Sequence, residues 1–206
     1  MSFKYLFLSI CSIYFSYGQI NYSVPDSLID LKYREDQFYM GANYVVIKGE
    51  NQLVQQNDFS SQVHFGILRD IPLNKKGNFS FAFGVGPSYT QFQSNIDFKT
   101  GLLTANKFNT AKYISLNLPF EIRMRSSTST SFKFWRLYLG SQLQYNFLSK
   151  DLDALKKITT FSTINIGYNT WNFSLGYDLG GRLINLEGNK DSQFKLMTVG
   201  LIFYIF

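Results

Sequence analysis

Cysteine and histidine are almost absent from this chain, which has one of each among 206 residues. A single His64 and a single Cys11 cannot supply the clustered ligands of a zinc or iron–sulfur site. The sequence also lacks a G-x-S-x-G nucleophile motif, an H-E-x-x-H motif and a phosphate-binding glycine loop. We therefore predict no enzyme activity, no catalytic residue, no cofactor and no metal ion.

Long hydrophobic runs are missing as well. Beyond the N-terminus no stretch of about 18 apolar residues occurs, which argues against transmembrane helices. At the N-terminus, Lys4 precedes an apolar segment from Tyr5 to Phe15, and small residues at Ser16 and Gly18 complete a signal-peptide pattern. A first transmembrane helix is the alternative, but the segment is too short for one. We predict a signal peptide over residues 1–18 that is cleaved before Gln19.

Cleavage there would also remove the only cysteine. A lipoprotein site at Cys11 is disfavoured because Ile10, the residue before it, is larger than such sites normally carry. The mature chain would then have no disulfide and no thiol chemistry.

Positive charge exceeds negative charge by six, but it is not concentrated in one stripe. The lysines and arginines are spread over the chain, and an exported protein would meet no nucleic acid. We therefore expect no nucleic-acid partner and assign the charge to solvated loops and interior groups.

Aromatic residues are abundant, with 21 Phe and 14 Tyr, and they recur with a period of two. Phe79, Phe81 and Phe83 alternate with Ser80 and Ala82, a pattern typical of a strand with one apolar face. The same alternation predicts an all-β fold of eight antiparallel strands at 37–47, 61–70, 79–89, 114–125, 135–147, 160–169, 171–179 and 193–206. Residues 19–36 are predicted to be a periplasmic lead-in without regular structure.

The polar face of these strands is charged, and this favours a membrane barrel over a soluble sandwich or lipocalin-type barrel. In a membrane barrel the apolar face meets lipid and the polar face lines the lumen. The predicted lumenal charge network comprises Glu121, Arg123, Arg125, Arg136 and Asp178. Because an eight-stranded barrel is only wide enough for side chains, we expect these charges to pair into a structural plug. Glu121, Asp178 or Glu35 would balance the arginines, and a narrow conduit or binding site is the alternative.

The predicted connections alternate between long and short, as expected when long loops are extracellular and both termini are periplasmic. The chain ends within a strand, where Ile202, Tyr204 and Phe206 share one face. These three residues resemble the C-terminal insertion signal that the barrel-assembly machinery recognises, and we expect them to face lipid. The opposite face, which includes Leu201, is apolar too and would then be lumenal. Either it packs against an apolar part of the lumen, or a partner buries this end of the barrel.

Four runs carry a family resemblance. They are Tyr33–Tyr39, Gly66–Asn74, Lys133–Tyr138 and Gly167–Phe173. The chain resembles the PorT-like outer-membrane barrels of the Bacteroidetes, often called a porin family. That resemblance implies an outer-membrane location and an accessory role in type IX protein secretion and gliding, and it assigns no functional residue.

The leading functional hypothesis is a non-enzymatic structural or accessory barrel of the cell envelope. A small porin, a surface-binding barrel or a small envelope enzyme using His64 as a base are the alternatives. The expected partners are outer-membrane lipid, the barrel-assembly machinery and other envelope or secretion proteins.

Overall fold

The computed structural model describes residues 37–50, 52–74, 77–105, 107–126, 135–168, 171–184 and 192–205. The predicted signal peptide, the lead-in and Phe206 lie outside these ranges. Within them a short 3-10 turn occurs at Lys150–Leu152, and no helix is both long and apolar enough to cross a membrane.

The described residues form eight strands, as the alternation predicts. They are β1 (Gln37–Gly49), β2 (Ser61–Pro72), β3 (Phe79–Ser94), β4 (Asn109–Arg125), β5 (Trp135–Phe147), β6 (Ile158–Tyr168), β7 (Trp171–Asp178) and β8 (Phe194–Ile205). The observed bounds differ most from the predicted ones at the end of β3 and the beginning of β4, where each strand is five residues longer than predicted. There Gln91, Gln93 and Lys112 interrupt the apolar face although the backbone pairing continues.

The strands close into one antiparallel barrel in the order of the chain. β1 pairs with β8 from Phe38↔Ile205 to Gly49↔Phe194, so neither strand is left as an edge. Burial alternates along each strand, and in β4 every second residue from Ala111 to Arg125 is buried. The outward residues are mostly apolar, and the inward residues include the charged groups.

The barrel has two unlike ends. At the turn end, β2–β3, β4–β5 and β6–β7 are joined by residues 73–78, 126–134 and 169–170, and β1 begins and β8 finishes there. At the loop end, the connections are residues 50–60, 95–108, 148–157 and 179–193. The predicted alternation of connection lengths is therefore present.

Glycines on β1, β2 and β3 leave room for two inward side chains, those of His64 and Tyr39, to lie close against the barrel wall. A Cβ atom on Gly41 would lie 1.8 Å from Nε2 of His64, and one on Gly66 or Gly86 would lie 2.7 Å from the hydroxyl of Tyr39. The β2–β3 pairing reaches His64↔Ser88 and resumes at Ile67↔Val85. Glycines at such a point let a barrel wall bend sharply, and Tyr39 fills the space on the inside.

Closure can be tested by cross-linking β1 to β8. Ala42 faces Leu201 across this seam, so Ala42→Cys with Leu201→Cys should form a disulfide under mild oxidation. In the control pair, Ala42→Cys with Met197→Cys, the second cysteine lies four residues further along β8, about 13 Å away. We expect a reductant-sensitive mobility shift on a denaturing gel for the first pair alone. Equal cross-linking of both pairs, or of neither, would contradict the closed barrel.

Candidate functional site: a filled lumen

The turn half of the lumen holds a network of ion pairs centred on Asp70. Arg125 Nη2 donates to Asp70 Oδ2 at 3.0 Å, and Arg123 Nη1 lies 3.5 Å from Asp70 Oδ1. Ser80 Oγ also donates to Asp70 Oδ1 at 2.7 Å. Arg123 Nε donates to Glu121 Oε2 at 2.9 Å. Two carboxylates therefore neutralise two buried guanidinium groups.

Aromatic rings enclose the same network. The guanidinium carbon of Arg123 lies 4.6 Å from the ring centre of Tyr138 and 5.3 Å from that of Tyr204. Asn165 Nδ2 donates to the hydroxyl of Tyr204 at 3.1 Å and to Glu121 at 3.3 Å. Cation–π contacts are strongest where water is excluded, and Arg123 is fully buried. The network thus links β4, β5, β6 and β8 across the lumen.

Arg136 lies beside this network, opposite Arg125 in the β4–β5 register, and it is buried. Four of the five predicted network residues therefore lie in the turn half: Glu121, Arg123, Arg125 and Arg136. The fifth, Asp178, is at the loop end of β7 and pairs with Arg182 through Nε and Oδ2. The expected single network is thus two separate clusters, because Asp178 ends its strand at the opposite mouth. Glu35 lies outside the described residues.

Asp70 is the central carboxylate that the sequence prediction missed. It sits 53 positions before Arg123 in the chain, so spacing alone does not connect the two. One signal was available, because Asp70 has the inward parity of its strand, alternating with Ile67, Arg69 and Ile71 on the outer face. Arg182, which lies beyond the predicted strand at 171–179, is the partner of Asp178.

The loop half of the lumen has its own anchor in Arg182. Besides pairing with Asp178, Arg182 donates to the hydroxyl of Tyr113 at 3.0 Å and to Gln144 Oε1 at 3.4 Å. Its guanidinium carbon lies 4.8 Å from the ring centre of Phe161. Arg182 belongs to the β7–β8 connection, so these contacts hold that connection inside the barrel mouth.

Above Arg182 the connections fold inward as an apolar plug, which we call the loop cap. The loop cap consists of Ile96, Phe98, Leu152, Ala154, Leu155 and Leu183, all buried. It rests on Phe92 and Phe194 of the wall, and the ring centres of Phe92 and Phe98 are 5.4 Å apart. An apolar cluster of this kind excludes water from the mouth.

Backbone hydrogen bonds join the connections that form the loop cap. Ala154 N donates to Phe98 O at 3.0 Å, and Ile184 N donates to Ala154 O at 2.8 Å. Within the β3–β4 connection, Lys99 N and Thr100 Oγ1 both donate to the carboxylate of Asp97 at 3.0 Å. Chiefly because of the Lys99 backbone bond, the pKa of Asp97 is lower than its usual value. The cap is therefore a hydrogen-bonded structure and not three independent loops.

Between the two clusters the lumen contains a cavity of only about 20 Å³. His64, Glu121 and Asn165 are among the residues that line it. A space of this size holds about one water molecule. His64 is buried, and its ring lies nearly perpendicular to that of Tyr39 with the two ring centres 5.8 Å apart. Among the described residues, no group of three or more His, Cys, Asp or Glu side chains could hold a metal ion.

The last strand faces the opposite way from the expectation. Ile202 and Tyr204 are buried in the lumen, with 4% and 2% of their surfaces exposed, whereas Leu201 and Ile205 face outward. Both faces of β8 are apolar, so the period of two could not choose between them. Pairing with β1 decides it, because Tyr204 lies opposite the inward Tyr39. The expected lipid-facing position of Ile202 and Tyr204 is therefore wrong, and Phe206 lies outside the described residues.

A family model for the outer membrane protein beta-barrel domain matches residues 18–194. The chain therefore belongs to this family of outer-membrane β-barrels, and its place is the bacterial outer membrane with lipid around the wall. No curated protein and no solved structure gives a significant match. Membership of the family gives the fold and the location of this barrel. Its particular role has to be inferred from the residues of its lumen and its surfaces.

The contribution of Asp70 to the stability of the barrel can be measured with the substitution Asp70→Asn. The substitution keeps the shape but leaves Arg123 and Arg125 short of a buried negative charge, so we expect a loss of about 3–5 kcal/mol in the free energy of unfolding. Denaturant unfolding of the barrel in lipid vesicles would measure it. Asp151→Asn is the matched control and should change little, because the side chain of Asp151 is exposed to solvent. Equal unfolding midpoints for both variants would contradict the central position of Asp70.

Proposed function

We propose that this outer-membrane barrel is a non-conducting, non-enzymatic component of the cell envelope with a structural or accessory role. The observation that carries the proposal is the double filling of the lumen. Asp70, Glu121, Arg123 and Arg125 occupy the turn half, and the loop cap closes the other mouth. A barrel filled in this way has its wall and its rims, rather than its interior, available for interaction.

A small porin is less well supported. An eight-stranded barrel has an interior about as wide as its own side chains. Here Asp70, Arg123 and Arg125 are buried in it as ion pairs. Opening a path would require these buried ion pairs to separate. Separation is costly because each charge would be left without its counter-charge in a medium of low polarity.

A lumenal enzyme is disfavoured on the ground of space. His64, the one histidine of the chain, borders a cavity of about 20 Å³. A site of that size admits a water molecule but no lipid or peptide substrate. His64 fits better as a side chain that packs against Gly41 and Tyr39.

The resemblance to PorT-like barrels favours an accessory role in type IX protein secretion as the finer form of this proposal. A surface-binding barrel is the second candidate, and one observation favours it. Leu53, Leu102 and Ile184 are exposed on the connections at the loop end by 56%, 51% and 41% of their surfaces. Apolar side chains that remain exposed beside a filled mouth are available for contact with another molecule.

Planar-bilayer recording tests whether the lumen is closed. We expect no stepwise conductance from the wild-type barrel, with an open porin in the same bilayers as the positive control. Phe98→Ser with Leu155→Ser loosens the loop cap and should still not conduct, because the network around Arg123 closes the turn half independently. Stepwise currents from the wild type would overturn the non-conducting assignment.

A gene deletion in the producing bacterium tests the secretion role. We expect fewer proteins at the cell surface and in the medium, no change in the uptake of small solutes, and recovery on complementation with the wild-type gene. Normal secretion with altered solute uptake would instead support the porin. Normal secretion with reduced surface adhesion would support the surface-binding barrel.

A further inference from the structure

Two lysines of the barrel wall lie side by side near the loop end, at the seam between β1 and β8. Lys48 of β1 is the direct partner of Lys195 of β8 in the strand register. Phe194 and Leu196, which flank Lys195 in the chain, are buried inside the barrel, so Lys195 and its partner Lys48 face outward. We call these two residues the lysine pair. Like charges directly opposite each other on one face of a sheet repel, so the lysine pair destabilises the seam unless an anion lies over it.

The described part of the chain does not supply that anion. Among the described residues, neither lysine forms an ion pair with a carboxylate. Glu50 lies two positions beyond Lys48, after the end of β1, and it is exposed. Lys195 reaches sideways instead, with its Nζ 5.7 Å from the ring centre of Tyr177 on β7. A cation–π contact of this kind leaves the charge of the ammonium group in place, so both charges of the lysine pair can act on one bound anion.

The outward surface next to the lysine pair, on the side of the turn end, is apolar. The next outward residues across the seam are Val46 opposite Met197, followed by Tyr44 opposite Val199. Tyr44 and Tyr177 are both exposed on the outer face of the wall. Tyrosine rings on the outside of a barrel collect at the level of the lipid headgroups. The lysine pair therefore lies at headgroup level, with an apolar surface for acyl chains directly beneath it.

The leaflet around the loop end suggests which anion this is. The longer connections of an outer-membrane barrel face the cell exterior, where the leaflet consists largely of lipid A, a phosphorylated glucosamine disaccharide with several acyl chains. A phosphate monoester carries about 1.5 to 2 negative charges at neutral pH, enough to balance two ammonium groups. We propose that the lysine pair binds one phosphate group of lipid A, with an acyl chain along Val46 and Met197. This proposal is independent of the role proposed above and rests on the outer-membrane location.

Native mass spectrometry of the delipidated barrel in mild detergent, titrated with diphosphoryl lipid A, tests the site. We expect one lipid A molecule to be retained by the wild type, and about tenfold weaker retention by Lys48→Gln with Lys195→Gln. The matched control, Lys112→Gln with Lys150→Gln, removes two exposed cations at the same end of the barrel but away from the seam, and it should retain lipid A like the wild type. Lys48→Arg with Lys195→Arg keeps both charges and should also retain it.

Stability gives a second measurement of the same site. In vesicles of phosphatidylcholine, which has no net charge, Lys48→Gln should unfold at a higher denaturant concentration than the wild type, because the substitution removes the repulsion from Lys195. Addition of lipid A should then stabilise the wild type more than the variant, because only the wild type binds it through two charges. Each variant is first checked for the heat-dependent gel shift of a closed barrel.

The results that would contradict the site are equally specific. Retention of lipid A by Lys48→Gln with Lys195→Gln equal to that of the wild type would overturn the proposal, as would an equal loss in the control variant. Retention of phosphatidylglycerol as tightly as lipid A would overturn the assignment to a lipid of the outer leaflet. Displacement of lipid A by an equal concentration of inorganic phosphate would overturn the assignment to a lipid.

Discussion

In the hydrocarbon of a bilayer, a backbone N–H or C=O group without a partner costs several kcal/mol, and every other feature of this barrel depends on removing such groups. The pairing of β1 with β8 over twelve residue pairs supplies the backbone partners that the first and the last strand would otherwise lack. Closure with eight strands also fixes how narrow the interior is. The lumen must therefore be filled by side chains from its own wall, and this requirement decides where the charged residues of the sequence can be placed.

The two halves of the lumen meet this requirement with different chemistry. Near the turn end, charges are balanced within the wall itself, with Asp70 from β2 and Glu121 from β4 facing Arg123 and Arg125. Near the loop end, apolar side chains from the connections pack against the inward residues of the wall. Arg182 combines ion pairing with the packing of a connection, because it belongs to the β7–β8 connection and pairs with Asp178 of the wall.

The strands and most of their faces could be predicted because the polarity of each residue indicates whether it faces the lipid or the lumen. Phe79 and Phe81 alternate with Ser80 and Ala82, and that local pattern is sufficient to assign both faces of β3. The partners across the lumen could not be predicted in this way. Asp70 and Arg125 are 55 positions apart, and the register that brings them together depends on two intervening strand pairings. The orientation of Tyr204 was predicted wrongly for a related reason. Both faces of β8 are apolar, and only the pairing with β1 shows which of them faces the lumen.

The contact of Arg123 with Tyr204 has a mechanical consequence. β4 and β8 stand four strands apart in a ring of eight, so this contact spans the lumen from one wall to the opposite wall. It acts as a spoke, because the guanidinium is held on one side by Glu121 and meets the tyrosine ring on the other. Lateral pressure from the membrane tends to flatten a thin-walled cylinder into an ellipse. Here, flattening along the spoke would compress packed side chains, and stretching along it would separate them, so the cross-section of this barrel resists deformation in both senses.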